Sequence, residues 1–308
     1  MKKTSKLFLF FIIANIVFSC GGGEDDNTDT DNSNTKKTTF KIASYNMRVD
    51  SSSDKYRWAD TRKYLATDII KKYKLDILGT QELYEHQVKD VLIMTDDVYA
   101  HLGVATGNGQ PVGSNIKPTE SFDVIFYRKS RFTVLQTGDF WYSETPNSPS
   151  MWSGAGTKTH CTWAKFKDKD SEEEFYVLNS HLEFVNQNVR DISVDLLLEK
   201  VKEIAGSTPV FCTGDFNADM KTTEIKKIAN SGFLKDSKAQ TFKHSDTKNG
   251  GTFSGFEKNV DTDWRIDFVF VSNTIEVNSY AVITDDFKFS GCASDHLPVY
   301  IEARIKKK

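Results

Sequence analysis

The sequence predicts one large α/β domain, on three observations. Short apolar runs of strand length alternate with stripes of helical spacing, no internal repeat or second linker breaks the chain after about residue 40, and run after run stops in Asn, Asp, Glu or His. A rigid sheet can hold polar groups at an open rim, which is where active sites tend to form.

Phe40, Ile42 and Ser44 alternate with polar residues and lead to Asn46. Trp58, Leu65, Ile69 and Tyr73 share a helical face, and a short buried strand over 76–79 runs into Thr80-Gln81-Glu82. Val88, Val91 and Leu92 indicate a second helix, and the glycine-rich stretch 103–113 a surface loop or hairpin tip. Glu120 precedes a strand over 122–127, and another covers about 133–140. From Trp141 to Lys158, Pro146, Pro149, Gly154 and Gly156 mark a long loop, the candidate for substrate selection. Strands over 161–166 and 175–179 flank a charged turn, and the second ends in Ser180-His181-Leu182-Glu183. Val189, Ile192, Leu196 and their neighbours form a wide apolar stripe for a helix packed on a sheet, ending near Gly206 and Pro209.

The run 210–213 then meets Gly214, Asp215 and Asn217. If the backbone stays extended there, Asp215 and Asn217 point to one side, where a carboxylate can bind metal or take a proton from water and an amide can orient a nucleophile. An Asp-x-Asn after a strand is also ordinary turn or helix-cap chemistry, so the pair gains meaning from its company. A short helix around 222–230 follows, then an apolar run over 268–271 after Arg265 and Asp267, then Ser294-Asp295-His296-Leu297-Pro298 before a last alternating strand over 299–305. Singly, Asn46 is a turn residue, Glu82 a helix-start acid, His181 a hydrogen-bonded histidine, Asp267 a partner for Arg265 and Asp295 a cap. Their shared position at strand ends is what those separate readings leave unexplained.

Residues 1–19 carry Lys2, Lys3 and Lys6, then an apolar run of about a dozen residues, too short to span a bilayer, and read as a signal peptide. The ending Val17-Phe18-Ser19-Cys20 resembles a bacterial lipobox, which makes Cys20 the expected lipidation site; cleavage elsewhere would give a soluble secreted product. Residues 20–39 are polar and read as a flexible acidic tether, leaving 40–308 as the domain. Glu24-Asp25-Asp26 resembles signals that send Bacteroidetes lipoproteins to the outer face of the outer membrane. The chain has 40 basic and 43 acidic residues, and the domain is near neutral, without the basic footprint of a protein that grips long nucleic acid. Cys161 and Cys212 lie in strand-like runs and Cys292 in a loop, with no Cys/His spacing for structural zinc.

The strings SYNMR, TQE, NSHLE, TGDFNA, RIDFVFV and SDHLPV, in that order, resemble the endonuclease/exonuclease/phosphatase superfamily of metal-dependent phosphoesterases, most nearly its extracytoplasmic Bacteroidetes branch. The resemblance implies a four-layer sandwich, two mixed β-sheets face to face and flanked by helices. It also implies Mg²⁺ or Mn²⁺ held by Glu82 with Asn46 and Asp295, water oriented or deprotonated by Asp215, and nucleophile or phosphate held by Asn217. His181 and His296 would contact the phosphate, with Asp267 pairing a catalytic histidine and Glu120 orienting His181. Two departures stand out: Arg48 occupies a place where some nucleases have an acid and becomes a phosphate-binding candidate, and His-x-Asp becomes His181-Leu182-Glu183. The expected activity is hydrolysis of a phosphate mono- or diester of a small molecule, sugar or lipid headgroup by a monomer touching the membrane only through its lipid. The alternatives are a secreted nuclease on DNA or RNA and a catalytically inactive surface-binding protein.

Overall fold

A computed structural model describes residues 38–257, 262–284 and 291–307, so the expected signal peptide, Cys20 and nearly all of the tether lie outside the described residues. Two sheets form the centre. One has seven strands in the spatial order His244–Ser245, Ile275–Val282, Val299–Ile305, Phe40–Asn46, Ile77–Gln81, Ile125–Arg128 and Tyr99–Leu102. The other has six, ordered Leu234–Asp236, Asp267–Ser272, Val210–Asp215, Glu174–His181, His160–Asp168 and Phe132–Trp141.

The facing sheets bury Phe40, Ile42, Ile77 and Ile125 from the first against Phe166, Phe175, Val177, Phe211 and Val269 from the second. Phe175 packs on Phe40 at 4.9 Å and edge-on to Phe211 at 5.5 Å between ring centres. On the outer face of the seven-stranded sheet, helix Lys63–Tyr73 buries Ala66, Ile69 and Ile70, and helix Glu85–Met94 buries Val88 and Val91. Helices Gln187–Ala205 and Thr223–Ala229 cover the other outer face with Val194, Leu197, Val201, Ile225 and Ile228. The result is the expected four-layer α/β sandwich.

Strand direction places the functional rim. Phe40–Asn46 runs parallel to Ile77–Gln81, and Val210–Asp215 runs parallel to Glu174–His181, so each sheet brings two carboxyl ends to one edge. The flanking strands Val299–Ile305, Ile125–Arg128, Asp267–Ser272 and His160–Asp168 are antiparallel to these pairs and bring their amino ends to the same edge. Beneath the rim a polar layer joins the sheets: Gln81 Nε2 donates to Asn179 Oδ1 (2.7 Å), which also accepts from Thr213 Oγ1 (3.0 Å), while Asn179 Nδ2 donates to the Thr80 carbonyl (2.8 Å). A Cβ built on Gly79 would collide with the Thr213 hydroxyl and the Asn179 amide, so the bare backbone lets this layer close.

Several strands among the described residues escape the periodicity reading. Ile275–Val282 buries Ile275 and Val277, then Tyr280 and Val282, because its register slips between Val277 and Ser279; a bulge breaks the alternation that marks a strand. Tyr99–Leu102 and Leu234–Asp236 are short edge strands with little pattern to show. Cys161, Cys212 and Cys292 are buried and in no disulfide among the described residues.

Candidate active site

A cavity of about 430 Å³ opens at the common rim, and Arg48, Glu82, His181, Asp215, Asn217, Asp295 and His296 all line it. Glu82 and His296, 214 positions apart in the chain, therefore share one wall-to-wall pocket. Arg48, Glu82 and Asn217 each have positive φ, 56°, 67° and 48°, a left-handed conformation that non-glycine residues adopt at a cost of order 1–3 kcal/mol.

Asp215 ends its strand at the centre. Its Oδ1 accepts the Asn217 N–H (2.9 Å), the local turn that the sequence also allowed, which leaves Oδ2 for the cavity. Oδ2 accepts Asn46 Nδ2 (2.9 Å) and lies 3.7 Å from the Nε2 atoms of both His181 and His296. Asn217 spends its Nδ2 on the Leu182 carbonyl (2.8 Å), tying the ends of adjacent strands together.

Asn46, expected to help hold the metal, also donates from its amide nitrogen to Glu82 Oε1 (3.0 Å), and its Oδ1 accepts the Arg48 N–H (2.9 Å), so it bridges the two acids and stays beside Glu82. Glu120, expected to orient His181, closes a turn through its N–H on the Lys117 carbonyl (3.0 Å) and holds its carboxylate against Gly107. The acid facing His181 is instead Asp123, which the sequence reading passed over: its Oδ1 lies 3.6 Å from His181 Nδ1 and accepts the Glu82 N–H (3.1 Å). Asp123 Oδ2 in turn lies 3.3 Å from buried His160, also unforeseen. Both stand at the amino end of an antiparallel rim strand, the positional signal that would have found them.

Asp267, fully enclosed, meets His296 Nδ1 at 2.9 Å and accepts Thr252 Oγ1 at 2.6 Å. Arg265, offered above as its ion-pair partner, binds Asp236 instead. Burial opposes charge on His296, but Asp267 and then Asp215 prevail, and the imidazole is raised to about 10. His181 likewise rises to about 10 against burial, through Asp123, Asp215 and Glu82. Burial pushes Asp267 up to about 6 against the pull of His296. Burial also raises Asp295, whereas Glu82, despite burial, is held below the usual carboxylate range by His181 and Asn46.

The Arg48 guanidinium stands 3.8 Å from both Glu82 Oε2 and Asp295 Oδ2, close enough for attraction and too far for a hydrogen bond. Its backbone is pinned by wholly buried Arg62, which donates to the carbonyls of Met47 (2.9 Å), Arg48 (3.2 Å) and Val49 (2.6 Å). Glu82, His181 and Asp215 offer ligand atoms within 4.8 Å of one another, as do Asp215, Asp267 and His296. The donors around Glu82 are mainly hard carboxylate oxygens, a set that fits Mg²⁺ or Mn²⁺, and Glu82 is common to the pair facing Arg48 and to the first of these groups.

Glu183 explains the altered His-x-acid. It is buried, accepts the N–H groups of Gly156 (2.9 Å), Thr157 (3.3 Å) and Val185 (2.7 Å), and so pins the long loop to the segment after His181.

The model of the Endonuclease/Exonuclease/phosphatase family matches residues 43–296. The chain belongs to this family. A family protein of Bacteroides thetaiotaomicron is 33% identical over 88% of this chain and 100% of its own, with a TM-score of 0.80. A mannosyl-6-phosphatase of the same organism is 33% identical over 86% of this chain and 99% of its own, with a TM-score of 0.78. The human nocturnin catalytic domain shares the fold at 17% identity, a TM-score of 0.67, and coverage of 87% and 95%. A search of curated proteins finds no match. Members of the family are phosphoesterases or nucleases, and the chain has their fold and a divalent-metal type of donor cluster.

Proposed function

We propose that this protein is a divalent-metal-dependent phosphoesterase that hydrolyses a phosphate mono- or diester of a small molecule by in-line attack of water. The observation that carries the reading is Asp215 Oδ2 lying between the two imidazoles in a cavity shared with Glu82 and Asp295. Asp215 takes the proton of the attacking water, its orientation held by Asn46 and the Asn217 N–H. His181 and His296, as imidazoliums, donate to the phosphoryl oxygens as charge grows there, and either supplies a proton to the leaving oxygen. Asp123 and Asp267 fix the two rings by their Nδ1 atoms. Glu82 and Asp295 would hold Mg²⁺ or Mn²⁺, which neutralises phosphate charge when bound. Arg48 adds a cation beside the same carboxylates.

The mannosyl-6-phosphatase relative and the near-neutral domain both favour a small phosphorylated substrate. Chelator should abolish hydrolysis in a panel of phosphomonoesters, phosphodiesters, lipids and nucleic acids, with Mg²⁺ or Mn²⁺ restoring it, and Asp215→Ala should be near inactive while folded. Activity indifferent to chelator or to this substitution would end the reading; digestion of plasmid or RNA in preference to small esters would support a nuclease. We also propose that Cys20 anchors the protein by lipid to the outer membrane, facing outward; Cys20→Ser should then appear in the medium rather than in the membrane fraction.

A further inference from the structure

Asp123 has a second imidazole at its other oxygen. His160 is wholly buried, yet oxygen surrounds its ring: Nδ1 lies 3.3 Å from Asp123 Oδ2 and 3.1 Å from Thr106 Oγ1, while Nε2 lies 3.4 Å from Thr162 Oγ1 and 3.8 Å from Asp139 Oδ1. Trp141 stacks on the ring (5.7 Å between centres, 21° between planes) and donates through Nε1 to the Thr106 carbonyl (2.7 Å), so the imidazole is clamped in place. A core position with only space to fill takes an apolar side chain at less cost, because a buried polar ring must find partners. His160 and His181 reach Asp123 from neighbouring strands of one sheet, whose register pairs Cys161 with Ser180, and Asp123 stands just before Ile125–Arg128 of the facing sheet.

We propose that His160 is a positioning residue for the reaction: through Nδ1 it fixes the Asp123 carboxylate, which in turn sets His181 and Glu82. The two oxygens of Asp123 have separate tasks. Oδ1 accepts the Glu82 N–H (3.1 Å) and faces His181 Nδ1 (3.6 Å), so one atom ties the phosphate-facing imidazole to the backbone of the expected metal ligand. Oδ2 has His160 Nδ1 as its donor (3.3 Å). Without that donor a buried carboxylate oxygen is left unpaired, and a turn of the carboxylate toward another partner carries Oδ1 away from both His181 and Glu82. Outer groups that hold working groups in this way matter about 10- to 100-fold although they touch no substrate. The Nε2 edge, facing Thr162 and Asp139, is where a merely structural role would reside.

The proposal rests on the phosphoesterase reading, and the test separates the two. In the wild-type chain, nitrogen NMR should find a proton on His160 Nδ1; a ring protonated at Nε2 alone, its bare Nδ1 taking the Thr106 hydroxyl, overturns the proposal before any variant is made. His160→Asn offers an amide N–H in the place of Nδ1, His160→Gln one in the place of Nε2, and His160→Phe neither. With Mg²⁺ present and melts to confirm folding, kcat on the preferred ester of the panel should fall about 10- to 100-fold in the Gln and Phe variants with KM within about threefold, and His160→Asn should recover most of the loss. The His181 ring-nitrogen resonances should move in the Gln and Phe variants and stay near their wild-type positions in His160→Asn. Equal kcat for the Asn and Gln variants, or losses that follow Tm while the His181 resonances stay still, overturns the positioning role and leaves the phosphoesterase standing. If the wild type hydrolyses no ester of the panel, the phosphoesterase reading fails, and the His160 tautomer and His181 resonances still decide whether His160 sets His181.

Discussion

Replacing Asp267 with Asn isolates one contact. The carboxylate is wholly buried, bonded to Thr252 at 2.6 Å and to His296 Nδ1 at 2.9 Å. Asparagine keeps the shape and a partner for Thr252 but is neutral, and Asp267 is the strongest of the groups that hold the His296 imidazole up against burial. A charge-assisted bond of this kind is worth roughly 1.5–3 kcal/mol. At about 1.4 kcal/mol per decade, kcat should fall roughly 10- to 150-fold. KM should stay within about threefold, because the bond strengthens as charge develops and contributes less in the ground state. The alkaline limb of the pH–rate profile should move to lower pH as the imidazolium loses its partner. The assay is hydrolysis with saturating Mg²⁺ from pH 6 to 10, with NMR of the ring nitrogens to follow the His296 proton. A kcat within about threefold of wild type, with the profile unmoved, would mean that the Asp267–His296 pair is only structural.

The identity of the acid behind His181 is equally testable: Asp123→Asn should lower kcat by about tenfold or more, whereas Glu120→Gln should stay within about twofold, and the reverse order would restore the sequence expectation. Stability in chelator should fall as pH rises. His181 and His296, at about 10 in the folded state against ~6.5 unfolded, contribute stability complete below about 6.5 and lost as pH passes 10. Asp267, at about 6 against ~3.9 unfolded, acts in the same direction between those values. Thermal melts in EDTA showing a flat or rising Tm from pH 6.5 to 10.5 would contradict these assignments. Gly79→Ala should lower the urea midpoint by the equivalent of about 1–3 kcal/mol at unchanged m-value, since its methyl must displace Thr213 or Asn179; an unchanged midpoint would mean that the polar layer yields freely.

The α/β class, the central strands and most of the rim were already legible in residue order. Asn46, Glu82, His181, Asp215, Asp267, Asp295 and His296 each follow or precede an apolar run, and such runs fold locally in ways that period and turn chemistry record. Which atom of each meets which neighbour was not legible. Glu120 and Asp123 stand three positions apart, yet a turn diverts the first while pairing with Ile77–Gln81 carries the second to the rim. Asn46 could have offered oxygen or nitrogen, and the approach of Glu82 on the next strand and of Asp215 from the other sheet, 169 residues on, turned its nitrogen inward. Glu183 left the chemistry for the loop at Gly156 and Thr157 for the same reason. Register, bulges and the meeting of two sheets are set by contacts between distant segments, and a one-dimensional pattern carries no term for them.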